Sequence, residues 1–163
     1  MPAKLVYLSS GDTDAVVKLI EYEISMITHD THGDDRPEFA SDKAIQEYKA
    51  TLLRVITQLL AAHPTLETSL KVGEEGVEQV RRLLKAFPLS TRRAHTRPIF
   101  LLRRESEDIS RMAQDAIEQN KHDLSKFSDL ALNAEGRKVL KKDSAQKRTL
   151  IREIDKIWGG PRL

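Results

Sequence analysis

The feature that most constrains this chain is the run from Ile99 to Glu135, which holds neither glycine nor proline and repeats apolar residues at helical spacing. Ile109, Ala113, Ala116, Asn120, Leu124, Phe127 and Ala131 recur at steps of four and three, and Met112, Ile117 and Leu130 widen the stripe to one face. The pattern predicts one long helix from about Arg97 to Asn133, with Thr96 as its cap and Pro98 in its first turn, where a missing N–H costs nothing. About 35 residues at 1.5 Å each make a rod of roughly 50 Å. A helix of that length cannot cover its own stripe. Other helices must lie along it, or the stripe must pair with a second copy of the chain.

The rest of the chain supplies such helices. A short apolar piece, LVYL, leads through a Ser9-Ser10-Gly11-Asp12 turn into a helix over about Thr13–Thr28, capped by Ser10 or Asp12. Its buried face is Val16, Ile20, Ile24 and Ile27, and Lys18, Glu21 and Glu23 point elsewhere. Ser41 caps a second helix with Ile45, Tyr48, Leu52, Val55, Ile56 and Leu59 inward, which stops at His63-Pro64. Pro64 is expected to open a short helix, PTLETSLKV, with Leu66 and Leu70 inward, and Gly73 to separate it from a helix over Glu74–Phe87. Gly136 reads as a break. Asp143 and Gln146 form a D-x-x-Q pair at the head of a last helix that ends at Trp158 and Gly159-Gly160-Pro161.

The fold class expected is therefore all-α: one domain over residues 1–163, an irregular multi-helix bundle or a short armadillo-like solenoid. A charged fraction of 32% with 5% aromatics favours helix over strand. There is no cysteine, which removes disulfides, thiolate metal sites and thiol nucleophiles together. MPAKLVYLSSGD is too soon polar for a signal peptide, and no apolar run reaches membrane-span length, so the expectation is an intracellular protein, cytoplasmic or nuclear, without membrane contact.

The stretch LLRVITQLLAAHPTLETSLKVGEEGVEQVRRLLKAF resembles the armadillo and HEAT-type pattern of an apolar helix, a proline-led short helix, a glycine turn and a leucine-rich helix, and LVYLSSGDTDAVVKLI resembles the repeat's leucine helix, polar turn and following helix. The middle stretch is also similar to the small helical bundles at the N-terminus of transcription elongation factors. The armadillo-type resemblance implies a non-enzymatic scaffold or adaptor that takes a partner helix or peptide in an interhelical groove.

Charge gives the second reading of function. Residues 1–80 carry a net −7 and residues 81–163 a net +9. Arg81, Arg82, Lys85, Arg92, Arg93, Arg97, Arg103 and Arg104 form one cationic cluster. Arg137, Lys138, Lys141, Lys142, Lys147 and Arg148 form another. Either is suited to phosphates, and with only Phe87 and Phe100 interleaved, both at apolar positions, contact would be to the nucleic-acid backbone rather than to bases. His29, Asp30, His32 and Asp34 are weak candidates for metal ligands on a loop. No phosphate loop, HExxH or GxSxG motif is present, His63, His95 and His122 read as solvated, and no enzyme activity or cofactor is expected.

Overall fold

The computed structural model describes residues 3–29, 42–89, 91, 96–126 and 133–159. Among them the chain is all-α apart from one two-stranded ribbon: β1 (Lys4–Val6), α1 (Ser10–His29), α2 (Asp42–Ala62), α3 (Glu74–Leu84), β2 (Ile99–Leu101), α4 (Arg103–Lys126) and α5 (Ala134–Ile157). It divides into two compact units, Met1–Glu105 and Ser106–Leu163.

In the first unit, α2 packs against α1, α3 and β2. Its Leu52, Val55, Ile56 and Leu59 are all but sealed from solvent, as are Val16, Val17, Ile20 and Ile27 of α1. α1 begins earlier than its polar turn suggests. Ser9 is the cap: its Oγ accepts the Asp12 N–H at 3.1 Å and its carbonyl the Thr13 N–H at 2.8 Å, so Gly11 falls inside the first turn. Glu23, expected on the outer face, is buried, whereas Glu21 does reach outward and accepts the Ser69 N–H at 3.0 Å.

The short helix expected at Pro64–Val72 is a pair of turns instead. Leu66 N–H closes a turn onto the His63 carbonyl at 3.0 Å, and two later amides go to side chains rather than to carbonyls four residues back: Ser69 N–H to Glu21, and Leu70 N–H to Thr68 Oγ1 at 3.2 Å. α3 ends at Leu84 in a tightened last turn, with Phe87 N–H on the Leu84 carbonyl at 3.0 Å. Leu84 is fully buried, but Leu83, expected beside it in the core, is 67% exposed.

The single rod from Arg97 to Asn133 is not formed. Residues 99–101 pair antiparallel with β1, Lys4 opposite Leu101, Leu5 opposite Phe100 and Val6 opposite Ile99. Ile99 and Leu101 point into the core while Phe100 between them is half-buried, the two-residue alternation of a strand. Two side chains make this possible. The Gln58 amide acts as a third strand, donating to the Phe100 carbonyl at 2.7 Å and accepting the Phe100 N–H at 2.6 Å. Glu105 reaches back to the Leu102 N–H at 2.8 Å, which makes Leu102 the cap residue of α4 and Glu105 the third residue of its first turn. Phe127, Leu130 and Ala131, at the far end of the expected stripe, lie outside the described residues.

The second unit is an antiparallel helix pair. Trp158 Nε1 donates to Ser106 Oγ at 2.9 Å and Asn120 Nδ2 to Ser144 Oγ at 3.1 Å, so the step from Ser106 to Asn120 along α4 equals the step back from Trp158 to Ser144 along α5. Ile109, Met112, Ala113 and Ile117 of α4 and Leu150 and Ile154 of α5 are buried. Halfway along, Asn120, Ser144 and Lys147 are also buried, joined through Asp143, which accepts from Asn120 at 2.9 Å and from Lys147 at 2.9 Å. Asn120 meets Asp143 and Ser144 only in this register, whereas Lys147 and Asp143 pair within α5, so it is the Asn120 bonds that specify the alignment the apolar contacts leave loose.

α5 is one helix where the sequence suggests a break and a restart. Asn133 caps it, its side chain accepting the Gly136 N–H at 2.8 Å, so Gly136 sits in the first turn. Asp143 serves Asn120 and Lys147 in the middle of the helix. The stop is as expected: Gly159 takes φ +93°, the left-handed conformation that ends a helix cheaply only with glycine.

Candidate nucleic-acid interface

The cations of the expected basic patch meet different fates. In the first unit, Arg81 pairs with Glu78 one turn back. Arg97 donates to the carbonyls of Phe87 at 2.8 Å and Leu84 at 3.4 Å, closing the C-terminal end of α3. Arg104 reaches Thr51 Oγ1 at 3.4 Å, Arg103 is half-buried, and Arg82 and Lys85 are exposed. Arg92, Arg93 and His95 lie outside the described residues. Arg54, which the sequence reading did not single out, forks onto the buried Glu105 carboxylate through both Nε and an Nη.

In the second unit α5 sorts its charges by face. At about 100° per residue, Ser144, Lys147, Leu150 and Ile154 share the buried side. Lys147 is therefore spent on Asp143, and Arg137 donates to the Leu124 carbonyl at 3.2 Å. Lys138, Lys141, Lys142 and Arg148 are exposed on the opposite side, and the structure adds Arg152 and Lys156 to them. All six fall within roughly a third of the helix circumference, and Lys138 and Lys156, five turns apart, mark out about 27 Å of axis. None of the six is engaged in an ion pair among the described residues. Of the acidic residues of α5 beyond its first turn, Glu153 and Asp155 are partly buried at the margins of this face, and Asp143 lies on the buried side. Arg152 and Lys156 escape a reading that counts cations by local density; the three- and four-residue steps opposite Leu150 and Ile154 are the signal that finds them.

Among the described residues of the first unit are two recesses. One, between α2 and α3, is lined by Leu60, Pro64, Val72 and Val77 with Glu74, Glu78 and Arg81 beside them, and is of mixed charge. The other brings Ser10, Thr13, Asp14, His63, Thr65, Leu66 and Glu67 together. His63 is not solvated as expected. Its Nε2 lies 3.1 Å from Thr13 Oγ1, and burial holds its pKa below the usual 6.5. Thr13 is 1% exposed, so this hydroxyl–imidazole pair offers no oxygen to a substrate. Among the described residues no three His, Asp or Glu side chains converge as a metal site; His29 is the last residue of α1, and Asp30, His32 and Asp34 lie outside the described residues. No described helix is long and apolar enough to cross a membrane.

No protein-family model, curated protein or solved structure matches the chain.

Proposed function

We propose that this protein is a non-enzymatic binding module that holds the phosphate backbone of a nucleic acid along the cationic face of α5. The observation that carries the reading is the segregation of six exposed cations, free of ion pairs among the described residues, opposite the face that buries Leu150 and Ile154. Charge placed only for solubility is mixed in sign and pairs with its neighbours, as Lys121 does with Glu118 on α4. A row of one sign concentrates a polyanion.

The test is fluorescence anisotropy with a labelled oligonucleotide over a salt series. Six phosphate contacts give a plot of log K against log salt with a slope of about −5 on duplex DNA. Exchanging Lys141, Arg148 and Arg152 for glutamate is expected to bring the slope to about −3 or shallower and to abolish binding at physiological salt. Wild-type affinity in that variant refutes the reading. A scaffold reading rests on the recess at Leu60, Pro64, Val72 and Val77; it predicts a protein partner that survives nuclease and tolerates salt, with loss of binding on Val77→Glu.

A further inference from the structure

The β1–β2 ribbon is closed along one edge and open along the other. Phe100 turns both its N–H and its carbonyl to the Gln58 amide, so the backbone groups of Ile99 and Leu101, pointing the opposite way, are the ones that bond β1. Their partners are Val6 and Lys4. Leu5, opposite Phe100, therefore belongs to a non-hydrogen-bonded pair, and its own N–H and carbonyl point away from β2. Neither group has a partner among the described residues, where β2 is the one element that runs alongside β1. The Leu5 side chain, on the outer face of the ribbon with Phe100, is 37% exposed.

We infer that this edge takes the same edge of a second copy of the chain, β1 beside β1 about a two-fold axis, so that two ribbons join into one four-stranded antiparallel sheet. An unpaired N–H and carbonyl on a strand edge call for another extended backbone, and here the strand fits itself. Setting Leu5 opposite Leu5 of the second copy makes a hydrogen-bonded pair, each residue giving its N–H to the other's carbonyl across about 5.5 Å between Cα atoms. The same register places Lys4 opposite Val6 of the second copy rather than opposite another Lys4, so no like charges meet. It also lays the two exposed leucines against each other on the outer face. Gln58 stops the far edge of β2, so the sheet ends at two copies and does not run on as a fibre. With three residues in each β1, the shared edge is short, and the association is weak, with a dissociation constant on the order of 10 µM to 1 mM.

Sedimentation velocity on the full chain, at concentrations spanning that range, is expected to show monomer giving way to dimer. Leu5→Pro removes the one outward N–H and spares the bonds to β2, a change that edge strands tolerate. It should weaken dimerisation about tenfold or more, since two hydrogen bonds are lost per dimer, with the circular dichroism spectrum unaltered. Leu5→Glu and Leu5→Lys each set like charges face to face and should be monomeric singly, while an equimolar mixture of the two should dimerise. Amide hydrogen exchange reads the wild type directly: the Val6 amide is protected at every concentration, and the Leu5 amide only as the dimer forms. A wild type that stays monomeric throughout overturns the inference and leaves the edge to an extended segment of another protein. A dimer that survives both Leu5→Pro and Leu5→Glu, or a mixture that stays monomeric, overturns it as well.

Discussion

Arg54→Met is expected to destabilise the first unit more than Glu105→Gln, although the two residues are partners in one ion pair. The reason is their unequal exposure: the Glu105 side chain is 1% exposed and that of Arg54 41%. Glu105 receives Arg54 Nε at 2.6 Å, an Arg54 Nη and the Leu102 N–H at 2.8 Å. Without Arg54 the carboxylate stays buried with one amide for company, a situation that costs about 3–5 kcal/mol. Without the charge on Glu105, the guanidinium turns to water, and a glutamine oxygen still accepts from Leu102. The loss is then a charge-assisted hydrogen bond discounted for exposure, about 1–2 kcal/mol. The double variant should cost less than the two single changes together, since neither partner is left stranded. Urea unfolding followed by far-ultraviolet circular dichroism is the assay; Trp158, the single tryptophan, lies in the second unit and reports a different part of the chain. Equal costs, or Glu105→Gln the larger, would show that Glu105 does not depend on Arg54 and that the start of α4 is fixed by something else.

The remaining predictions concern three other sites. His63 has its pKa lowered by burial, so as pH falls the unfolded chain takes up a proton at about 6.5 before the folded one does. Stability is full above that value and declines as pH drops toward the folded pKa; urea midpoints between about pH 7.5 and 5 should fall in the wild type and fall less in His63→Gln, and parallel profiles would refute the assignment. Asn120→Ala strips donors from Ser144 and Asp143 inside the second unit and should cost about 1–3 kcal/mol, read from Trp158 emission during urea unfolding; an unchanged midpoint would mean that water replaces the amide. Gly76→Ala places a methyl 3.9 Å from Thr57 Cγ2, an ordinary contact, and should raise stability by about 0.5–1 kcal/mol within α3; a lower thermal midpoint would show the α2–α3 approach to be tighter than that distance implies.

Much of the helical frame is legible in the residues, because α1, α2 and the first part of α3 each carry an apolar stripe with clear ends. The departures share a cause. At Ile99–Leu101, at Leu66–Leu70 and at Gly136 the local sequence admits two conformations, and a side chain remote in sequence or just outside the element selects one: Gln58 and Glu105 in the first case, Glu21 in the second, and the Asn133 cap in the third. The candidate site divides the same way. Lys138, Lys141, Lys142 and Arg148 were visible as a basic run, yet Lys147 in the middle of that run turns inward to Asp143, while Arg152 and Lys156 extend it outward by two turns.

By itself, then, the sequence determined that this chain is all-α, that α1 and α2 bury their apolar stripes, and that positive charge gathers in its second half, because helix propensity, apolar period and net charge are sums over neighbours in the chain. Only the tertiary structure decided where α4 begins and which lysines remain in solvent. Those outcomes turn on hydrogen bonds between groups far apart in the chain, such as Arg54 with Glu105, 51 residues away, and on the helix register in which Asn120 of α4 meets Asp143 and Ser144 of α5.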